Sequence, residues 1–285
     1  MPAPSVALLV ASIPSPPWSS IEIGPLTLRL YGLMIALGAL AAVEIARARW
    51  KARGGDPEVI ATIGKWAIPA GLVGARAYHV ATDWRSYQGR WLDAFKIWEG
   101  GLGIPGGLLA GVVVGVWVAR REGLDLRSVL DAGIPGIPVA QAIGRLGNWF
   151  NQELFGGPTS LPWGLQIDPE HRPARYALQE TFHPTFLYEA LWNLVLAAIL
   201  LELDRRRLLK RGQILPLWVV GYGIGRFLVE SVRIDPASLI WGIRVNHWMA
   251  AAAVVFGAIG FWWAGRTASP APCSEPAEPA TPPLS

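Results

Sequence analysis

Long apolar runs alternate with short polar segments along the chain, and seven of these runs approach the length of a membrane-spanning helix. Such a helix needs about 20 mostly apolar residues to cross the hydrocarbon core. The seven runs occupy residues 27–46, 59–80, 103–119, 129–147, 186–203, 214–232 and 246–264. The pattern predicts an all-α membrane protein that forms a bundle of about seven transmembrane helices.

Composition supports a lipid environment over an aqueous one. Of the 285 residues, 52% are hydrophobic and 16% are charged, whereas about 25% are charged in an average soluble domain. The net charge of +4 is not gathered into one patch, because the basic residues fall between apolar runs. The sequence contains no nucleic-acid-binding motif, P-loop or metal-ligand cluster. We therefore expect no nucleic-acid partner and no metal.

The basic residues predict the orientation of the bundle. They concentrate after the first, third, fifth and seventh runs, beginning at Arg47, Arg120, Arg205 and Arg266. Short loops rich in lysine and arginine stay in the cytoplasm. The N-terminus is then outside and the C-terminus cytoplasmic, and we interpret most of these basic residues as topology signals without a further role.

The predicted spans divide the chain into three parts. Residues 1–20 form an extramembrane segment, residues 21–266 form the seven-span membrane domain, and residues 267–285 form a cytoplasmic tail rich in proline and alanine. The composition of the tail predicts disorder. A cleaved signal peptide is not favoured, because no basic segment precedes the first apolar patch. Cys273, the single cysteine, excludes an internal disulfide, and its place in the tail argues against catalysis.

Ionisable residues inside the apolar runs are costly, at about 2.5–3.5 kcal/mol each at the bilayer centre. They are Lys65, Arg76, Asp131, Arg145, Glu189, Arg226 and Glu230. Structural ion pairs, or side chains that reach the nearby interface, account for Lys65. Arg226 and Glu230 are four residues apart and are predicted to pair on one helix face. A functional role is favoured for Arg145 and Arg226, because other polar residues lie close to both in sequence.

A polar, glycine-rich stretch, AIGRLGNWFNQELFGGP at 142–158, ends the fourth run at the predicted outer face. If the helix continues far enough, Arg145 and Asn148 share a face. A guanidinium with amide donors beside it suits a phosphate, because its fork contacts two oxygens at once. Glu153 could hold an arginine or accept a hydroxyl proton. The stretch predicts a site for an anionic, hydroxyl-bearing headgroup.

Two further segments repeat the theme. In GYGIGRFLVESVRIDP, Tyr222 and Arg226 lie one helical turn apart. In HPTFLYEA, which opens the fifth run, His183 lies where the helix starts, whereas Tyr188 and Glu189 are expected to turn inward.

The run GRLGNWFNQELFG resembles the signature of the bacterial prolipoprotein diacylglyceryl transferases. In chain order, LRLYGLMIALG, GARAYHV, IWEGGLGIPGG, HPTFLYEA and YGIGRFLVESVR resemble other motifs of that family. The resemblance extends from about residue 20 to residue 265 and leaves only the termini outside it.

The resemblance implies transfer of the diacylglyceryl group of phosphatidylglycerol to the lipobox cysteine of a preprolipoprotein, with release of glycerol phosphate. This reaction is the first step of bacterial lipoprotein maturation, at the outer face of the cytoplasmic membrane. The implied partners are phosphatidylglycerol, a lipobox peptide and the bilayer. No cofactor is expected, because every bond change is a displacement at carbon.

Residue roles follow from matching positions in the family motifs. The implied catalytic residues are Arg145, Arg226, Tyr31 and Glu153, and the implied substrate-binding residues are Asn148, Asn151, Gly156, Tyr222 and Glu230. Fixed positive charge at the two arginines would stabilise the phosphate oxygen that gains negative charge as it leaves.

One motif departs from the family pattern. The family carries a histidine before two glycines, whereas this chain has Pro105 before Gly106 and Gly107. Proline cannot accept a proton, so the group that activates the substrate thiol is open. His79, Tyr31 and electrostatic lowering of the thiol pKa by the arginines are the alternatives.

A transporter and a scaffold are the two alternatives to an enzyme. A transporter or channel for an anionic solute would also bury arginines, but the chain shows no repeat of two related halves. A scaffold without catalysis would leave the intramembrane charges without a role. The glycines between residues 100 and 115 indicate close helix packing, with an entry gap for lipid or peptide as the alternative.

Overall fold

The computed structural model describes residues 12–24, 26–97 and 100–267, and the structural statements below concern these residues. Eight α-helices form the framework: α1 Leu30–Ala52, α2 Pro57–Thr82, α3 Ile104–Arg121, α4 Leu126–Gly133, α5 Gly136–Asn151, α6 Thr185–Arg205, α7 Ile214–Glu230 and α8 Val245–Thr267. Four of them, α1, α3, α6 and α8, are long and apolar enough to cross a membrane. The helical membrane architecture agrees with the sequence prediction, while the seven-span count and the orientation stay predictions. The tail beyond residue 267, with Cys273, lies outside the described residues.

Three short antiparallel hairpins lie in the segments between or before the helices. They were not predicted from the sequence. They are β1 Ser20–Ile23 with β2 Leu26–Arg29, β3 Leu165–Gln166 with β4 Thr181–Phe182, and β5 Leu239–Ile240 with β6 Ile243–Arg244. The first hairpin corrects the predicted span at 27–46, because α1 begins only at residue 30. The residues before it, LTLR, alternate apolar and polar side chains with the period of a strand.

The predicted span at 129–147 is wrong as a continuous helix, because it is split into α4 and α5. Pro135 lies at the break and has no N–H group to continue the helical hydrogen bonds. Arg49 of α1 supplies donors instead. Its Nη2 lies 2.8 Å from the carbonyl oxygen of Asp131, and its Nε lies 2.9 Å from that of Ala132.

Close packing of α2 on α3 depends on glycines. A Cβ atom added to Gly106 would lie 2.4 Å from the carbonyl oxygen of Gly74, and one added to Gly74 would lie 2.6 Å from that of Gly106. The packing interpretation of this glycine-rich segment is therefore confirmed for α3. Gly100 and Gly101 differ, because they lie in the preceding loop with φ of +94° and +70°.

Arg76, one of the charged residues predicted inside a span, has a structural role. It is buried, and its guanidinium donates hydrogen bonds to backbone carbonyls of the loop between α2 and α3. The acceptors are Asp93, Ala94, Gly100 and Gly101, at 2.6–3.1 Å. Lys65 on the same helix is exposed.

The two ends of the bundle differ in structure. At one end, residues 152–184 form a compact cap with a buried apolar cluster that includes Phe155 and Phe182. At the other end, Asp204 forms ion pairs with Arg49 at 3.0 Å and Arg53 at 2.8 Å. These basic residues therefore connect α1 to α6, beyond their expected role as topology signals.

Candidate active site

Two arginines singled out in the sequence meet at one carboxylate, at the capped end of the bundle. Glu189 of α6 is 6% exposed. Its Oε2 lies 2.5 Å from Nη2 of Arg145 on α5, and its Oε1 lies 3.2 Å from Nη1 of Arg226 on α7. Three helices thus bring two positive charges and one negative charge into an apolar bundle.

The last turns of α5 arrange a chain of polar side chains. The helix continues to Asn151, so Arg145 and Asn148 share a face as predicted, and Nη1 of Arg145 donates to Oδ1 of Asn148 at 3.1 Å. The Asn148 and Asn151 side-chain amides donate to Oε1 of Glu153 at 2.9 and 3.3 Å. Asn148 is buried and Glu153 is exposed, so the chain of hydrogen bonds leads from the bundle interior to the surface.

Gln152 makes the turn that brings Glu153 back toward α5. Its φ of +50° is left-handed, a conformation that L-residues adopt only when the surroundings hold it. The Gln152 side chain donates to Oδ2 of Asp168 at 2.6 Å and accepts from the Asp168 backbone N–H at 2.8 Å. This pair of hydrogen bonds anchors the turn in the cap.

Tyr31 of α1 lies beside the same cluster. Its ring packs where Gly147 has no side chain, since a Cβ atom there would lie 2.5 Å from Cδ2 of Tyr31. The structure therefore places this predicted catalytic residue with the α5 signature.

Gly156 joins the signature segment to His183 in the cap and to Val232 just after α7. Its backbone N–H donates to the carbonyl oxygen of His183 at 2.9 Å. A Cβ atom at Gly156 would lie 2.7 Å from Cβ of His183 and 2.9 Å from the carbonyl oxygen of Val232. Glycine is required here by this close approach of the protein's own backbone.

The predicted ion pair on α7 is confirmed, with Nη2 of Arg226 2.8 Å from Oε2 of Glu230. Glu230 is 1% exposed and has three further partners after α7, the first being Arg233, whose Nε lies 3.9 Å from Oε2 of Glu230. Its Oε1 lies 2.5 Å from Nε of Arg244 and accepts a hydrogen bond from the Asn246 amide at 3.0 Å. Neither Arg244 nor Asn246 was predicted from the sequence.

Arg233 and Asp235 extend the network beyond the end of α7. Nε of Arg233 lies 2.7 Å from Oδ1 of Asp235, and its Nη1 lies 4.0 Å from Oε1 of Glu189. Burial alone would raise the pKa of Asp235, but the hydrogen bond from Arg233 and the charges of Arg233 and Arg244 outweigh it and lower that pKa. Both residues belong to the segment GYGIGRFLVESVRIDP, so their proximity to Arg226 in sequence was the available signal.

A small cavity lies beside Arg226. Its lining residues are Glu189, Trp192, Asn193, Tyr222, Gly225 and Arg226. Tyr222 and Arg226 face it from successive turns of α7, as their spacing predicted. Oδ1 of Asn193 is buried and has no hydrogen-bond partner among the described residues. The cavity therefore offers an acceptor and a guanidinium together.

Other candidates from the sequence lie apart from this cluster. His79 packs against Gly101, with its ring 6.2 Å from that of Tyr87, on the side of the α2–α3 loop. Pro105 is exposed in the first turn of α3, where a missing N–H costs nothing. The hydroxyl of Tyr188 pairs with Nδ1 of His183 at 3.0 Å.

Comparison with known proteins gives a consistent set of relatives. Residues 19–263 match the family model described as prolipoprotein diacylglyceryl transferase. Proteins named phosphatidylglycerol–prolipoprotein diacylglyceryl transferase are similar in Frankia alni (48% identical, over 92% of this chain and 70% of the relative) and Cutibacterium acnes (49%, over 87% and 84%). The Streptomyces coelicolor protein that carries the same name with the number 2 is 49% identical, over 84% of this chain and 76% of its own length.

Proposed function

Because the chain belongs to the prolipoprotein diacylglyceryl transferase family, we propose that the cluster around Glu189 binds the phosphatidylglycerol headgroup and carries out the transfer. The chain is a membrane transferase that moves a diacylglyceryl group from phosphatidylglycerol to prolipoproteins. The acceptor is the lipobox cysteine thiol. The site opens at the outer face of the bacterial cytoplasmic membrane, in a seven-span domain at residues 21–266 with its N-terminus outside.

The single observation that carries this proposal is the meeting of Arg145 and Arg226 at Glu189. A guanidinium has five N–H donors, and the described contacts of each arginine involve only its two terminal nitrogens. Donors are therefore left for a phosphate between α5 and α7. Glu189 fixes both guanidinium groups in place before the lipid arrives, so little reorganisation is needed during the reaction.

The bond changes explain why positive charge is needed. The cysteine sulfur attacks the glyceryl carbon that carries the phosphate ester, a C–S bond forms, and the C–O bond breaks with its electron pair on oxygen. Glycerol phosphate then leaves with one more negative charge than the diester had. Arg145 and Arg226 stabilise that charge in a low-dielectric site, where a fixed donor has a larger effect than in water.

The thiol must lose its proton, to water, before it attacks. His79 lies beside the α2–α3 loop, apart from Arg145 and Arg226, so it is poorly placed to act as the base. This position supports electrostatic activation, in which the two arginines lower the pKa of the substrate thiol. Tyr31 packs against Gly147, between Arg145 and Asn148 in the sequence of α5, and orients the incoming groups.

The remaining polar residues divide into contacts and supports. Glu153 is exposed and accepts hydrogen bonds from the hydroxyl groups of the headgroup glycerol, with the Asn148 and Asn151 amides holding its carboxylate. Tyr222 closes the small cavity beside Arg226. Glu230 is a positioning residue, because it is buried and holds Arg226 through its carboxylate.

The direct test uses purified protein, phosphatidylglycerol labelled in its acyl chains and a peptide with a lipobox cysteine. A thioether-linked lipid peptide detected by mass spectrometry is the expected product, and the same peptide with serine in place of cysteine is the matched control. The alternative is a transporter or channel for an anionic solute. Folded protein that yields no lipid peptide but conducts phosphate into liposomes would establish that alternative.

A further inference from the structure

A large basic cavity lies at the end of the bundle opposite to the candidate active site. It is open to the surface and has a volume of about 500 Å³ between the ends of α1 and α6, helix α4 and the start of α7. Its basic lining residues are Arg49, Arg53, Arg205, Arg207, Lys210 and Arg211, and its acidic lining residues are Asp131 and Asp204. We propose that this cavity binds the phosphate group of an anionic phospholipid in the adjacent leaflet.

The charges in the cavity are only partly neutralised. Arg49 and Arg53 share the single carboxylate of Asp204. The carboxylate of Asp131 accepts a hydrogen bond from the Gly212 backbone N–H at 2.7 Å, and the Lys210 ammonium donates to the Gly265 carbonyl at 2.9 Å, which brings it no negative charge.

Carboxylates just outside the cavity do not reverse this balance. Arg211 pairs with Asp125, and Arg205 pairs with Glu202 at 2.8 Å. With these two carboxylates included, basic side chains still outnumber acidic ones. The site therefore favours an anion.

Arg207 occupies a position that the backbone would normally assign to glycine. Its φ is +55°, and its N–H donates to the Asp204 carbonyl at 2.9 Å while the Leu208 N–H donates to that of Leu203 at 3.0 Å. This pattern ends a helix with a left-handed residue, and glycine is the usual choice there. A residue with a side chain is strained in this conformation, because its Cβ atom crowds the following carbonyl oxygen.

No contact between the Arg207 side chain and another described residue offsets this strain. The side chain is exposed and lines the cavity, and it has no ion pair or hydrogen bond to another described residue. A strained, unpaired arginine beside five other basic groups is explained by a ligand that it contacts.

The location favours a lipid as the source of the phosphate. The cavity lies where helices long enough to cross a membrane end, which is the depth of the headgroups. Basic pockets between spanning helices bind anionic headgroups in this way. Leu208, next to Arg207, is 63% exposed and provides an apolar surface for the attached chains. Free inorganic phosphate has the same recognising chemistry and is distinguished below.

The test is native mass spectrometry of the full chain in detergent, titrated with dioleoyl phosphatidic acid, with dioleoyl phosphatidylcholine as the zwitterionic comparison. Arg207→Gly removes the charge and relieves the strained backbone, so folding is preserved. We expect it to weaken phosphatidic acid binding about fivefold, the effect of one basic group near a lipid surface. Arg120→Gln removes an exposed charge at the same end outside the cavity and should change binding less than twofold.

A second variant tests the sign of the charge effect. Asp204→Asn removes the carboxylate that Arg49 and Arg53 share, so phosphatidic acid should bind more tightly. If inorganic phosphate displaces the bound lipid, the phosphate site accepts either source, and if it does not, the lipid is the occupant. Equal phosphatidic acid binding by wild type, Arg207→Gly and Asp204→Asn would overturn the proposal. Transfer activity of Arg207→Gly should be unchanged, which separates this site from the active site.

Discussion

Arg226→Lys is the substitution that most sharply separates charge from geometry at the active site. The Arg226 guanidinium spans two carboxylates, with Nη1 3.2 Å from Glu189 and Nη2 2.8 Å from Glu230. A lysine ammonium keeps the charge but is a single point, so it cannot hold both contacts and also meet a phosphate through a planar fork.

The size of the effect follows from the contacts that are lost. A hydrogen bond to a charged group contributes about 1.5–3 kcal/mol, which corresponds to a rate loss of about 10- to 150-fold if the contact is needed in the transition state. The fold should persist, because Glu189 keeps Arg145 and Glu230 keeps Arg244 and Asn246.

The assay measures kcat and KM for phosphatidylglycerol in mixed micelles, with thermal unfolding of each variant measured in parallel. Arg90→Lys is the matched control, because Arg90 is exposed in the loop between α2 and α3 and its side chain lies outside the cluster. Retention of more than half of the wild-type kcat by Arg226→Lys would refute the argument that the fork geometry matters.

Four further predictions concern other parts of the molecule. Arg145→Ala should abolish transfer and leave membrane insertion intact, since Glu189 keeps Arg226 as a partner; a fully active variant in a peptide-lipidation assay would contradict its role. Gly156→Ala should lower both activity and melting temperature because its methyl group would meet backbone at 2.9 Å, and unchanged melting would disprove the close approach. Arg76→Gln should destabilise the α2–α3 loop by about 1 kcal/mol for each part-buried carbonyl that loses its donor, measured as faster hydrogen exchange after residue 93. The pKa of Asp235 is lowered in the folded protein, so its ion pairs contribute their full stability above the usual pKa range of aspartate. That stability is lost as the pH falls through the folded pKa. Asp235→Asn should therefore reduce the acid sensitivity of the protein in unfolding titrations below about pH 4.

The helices were largely predictable because lipid imposes one simple rule on sequence. Five of the seven apolar runs match observed helices to within a few residues at each end. The two errors have local causes, Pro135 in the fourth run and the alternating residues before α1 in the first, and both signals were present in the sequence. The compact cap at residues 152–184 was not predicted, because its apolar cluster joins short segments without helical periodicity.

The spacing of residues predicted contacts in the site only where both partners lie on one helix. Spacing alone predicted the shared face of Arg145 with Asn148 and the pair of Arg226 with Glu230. The meeting of α5 and α7 at Glu189 is a contact between residues far apart in sequence, which periodicity does not encode. Arg244 escaped notice for the same reason, since it reaches Glu230 from a hairpin after α7.

The most direct measurement is a cryo-electron microscopy structure of the protein in nanodiscs with phosphatidylglycerol and no acceptor peptide. We expect the headgroup phosphate within hydrogen-bond distance of both Arg145 and Arg226, with Glu189 still between the two guanidinium groups. A headgroup bound elsewhere, with both arginines held only by their carboxylates, would contradict the central claim.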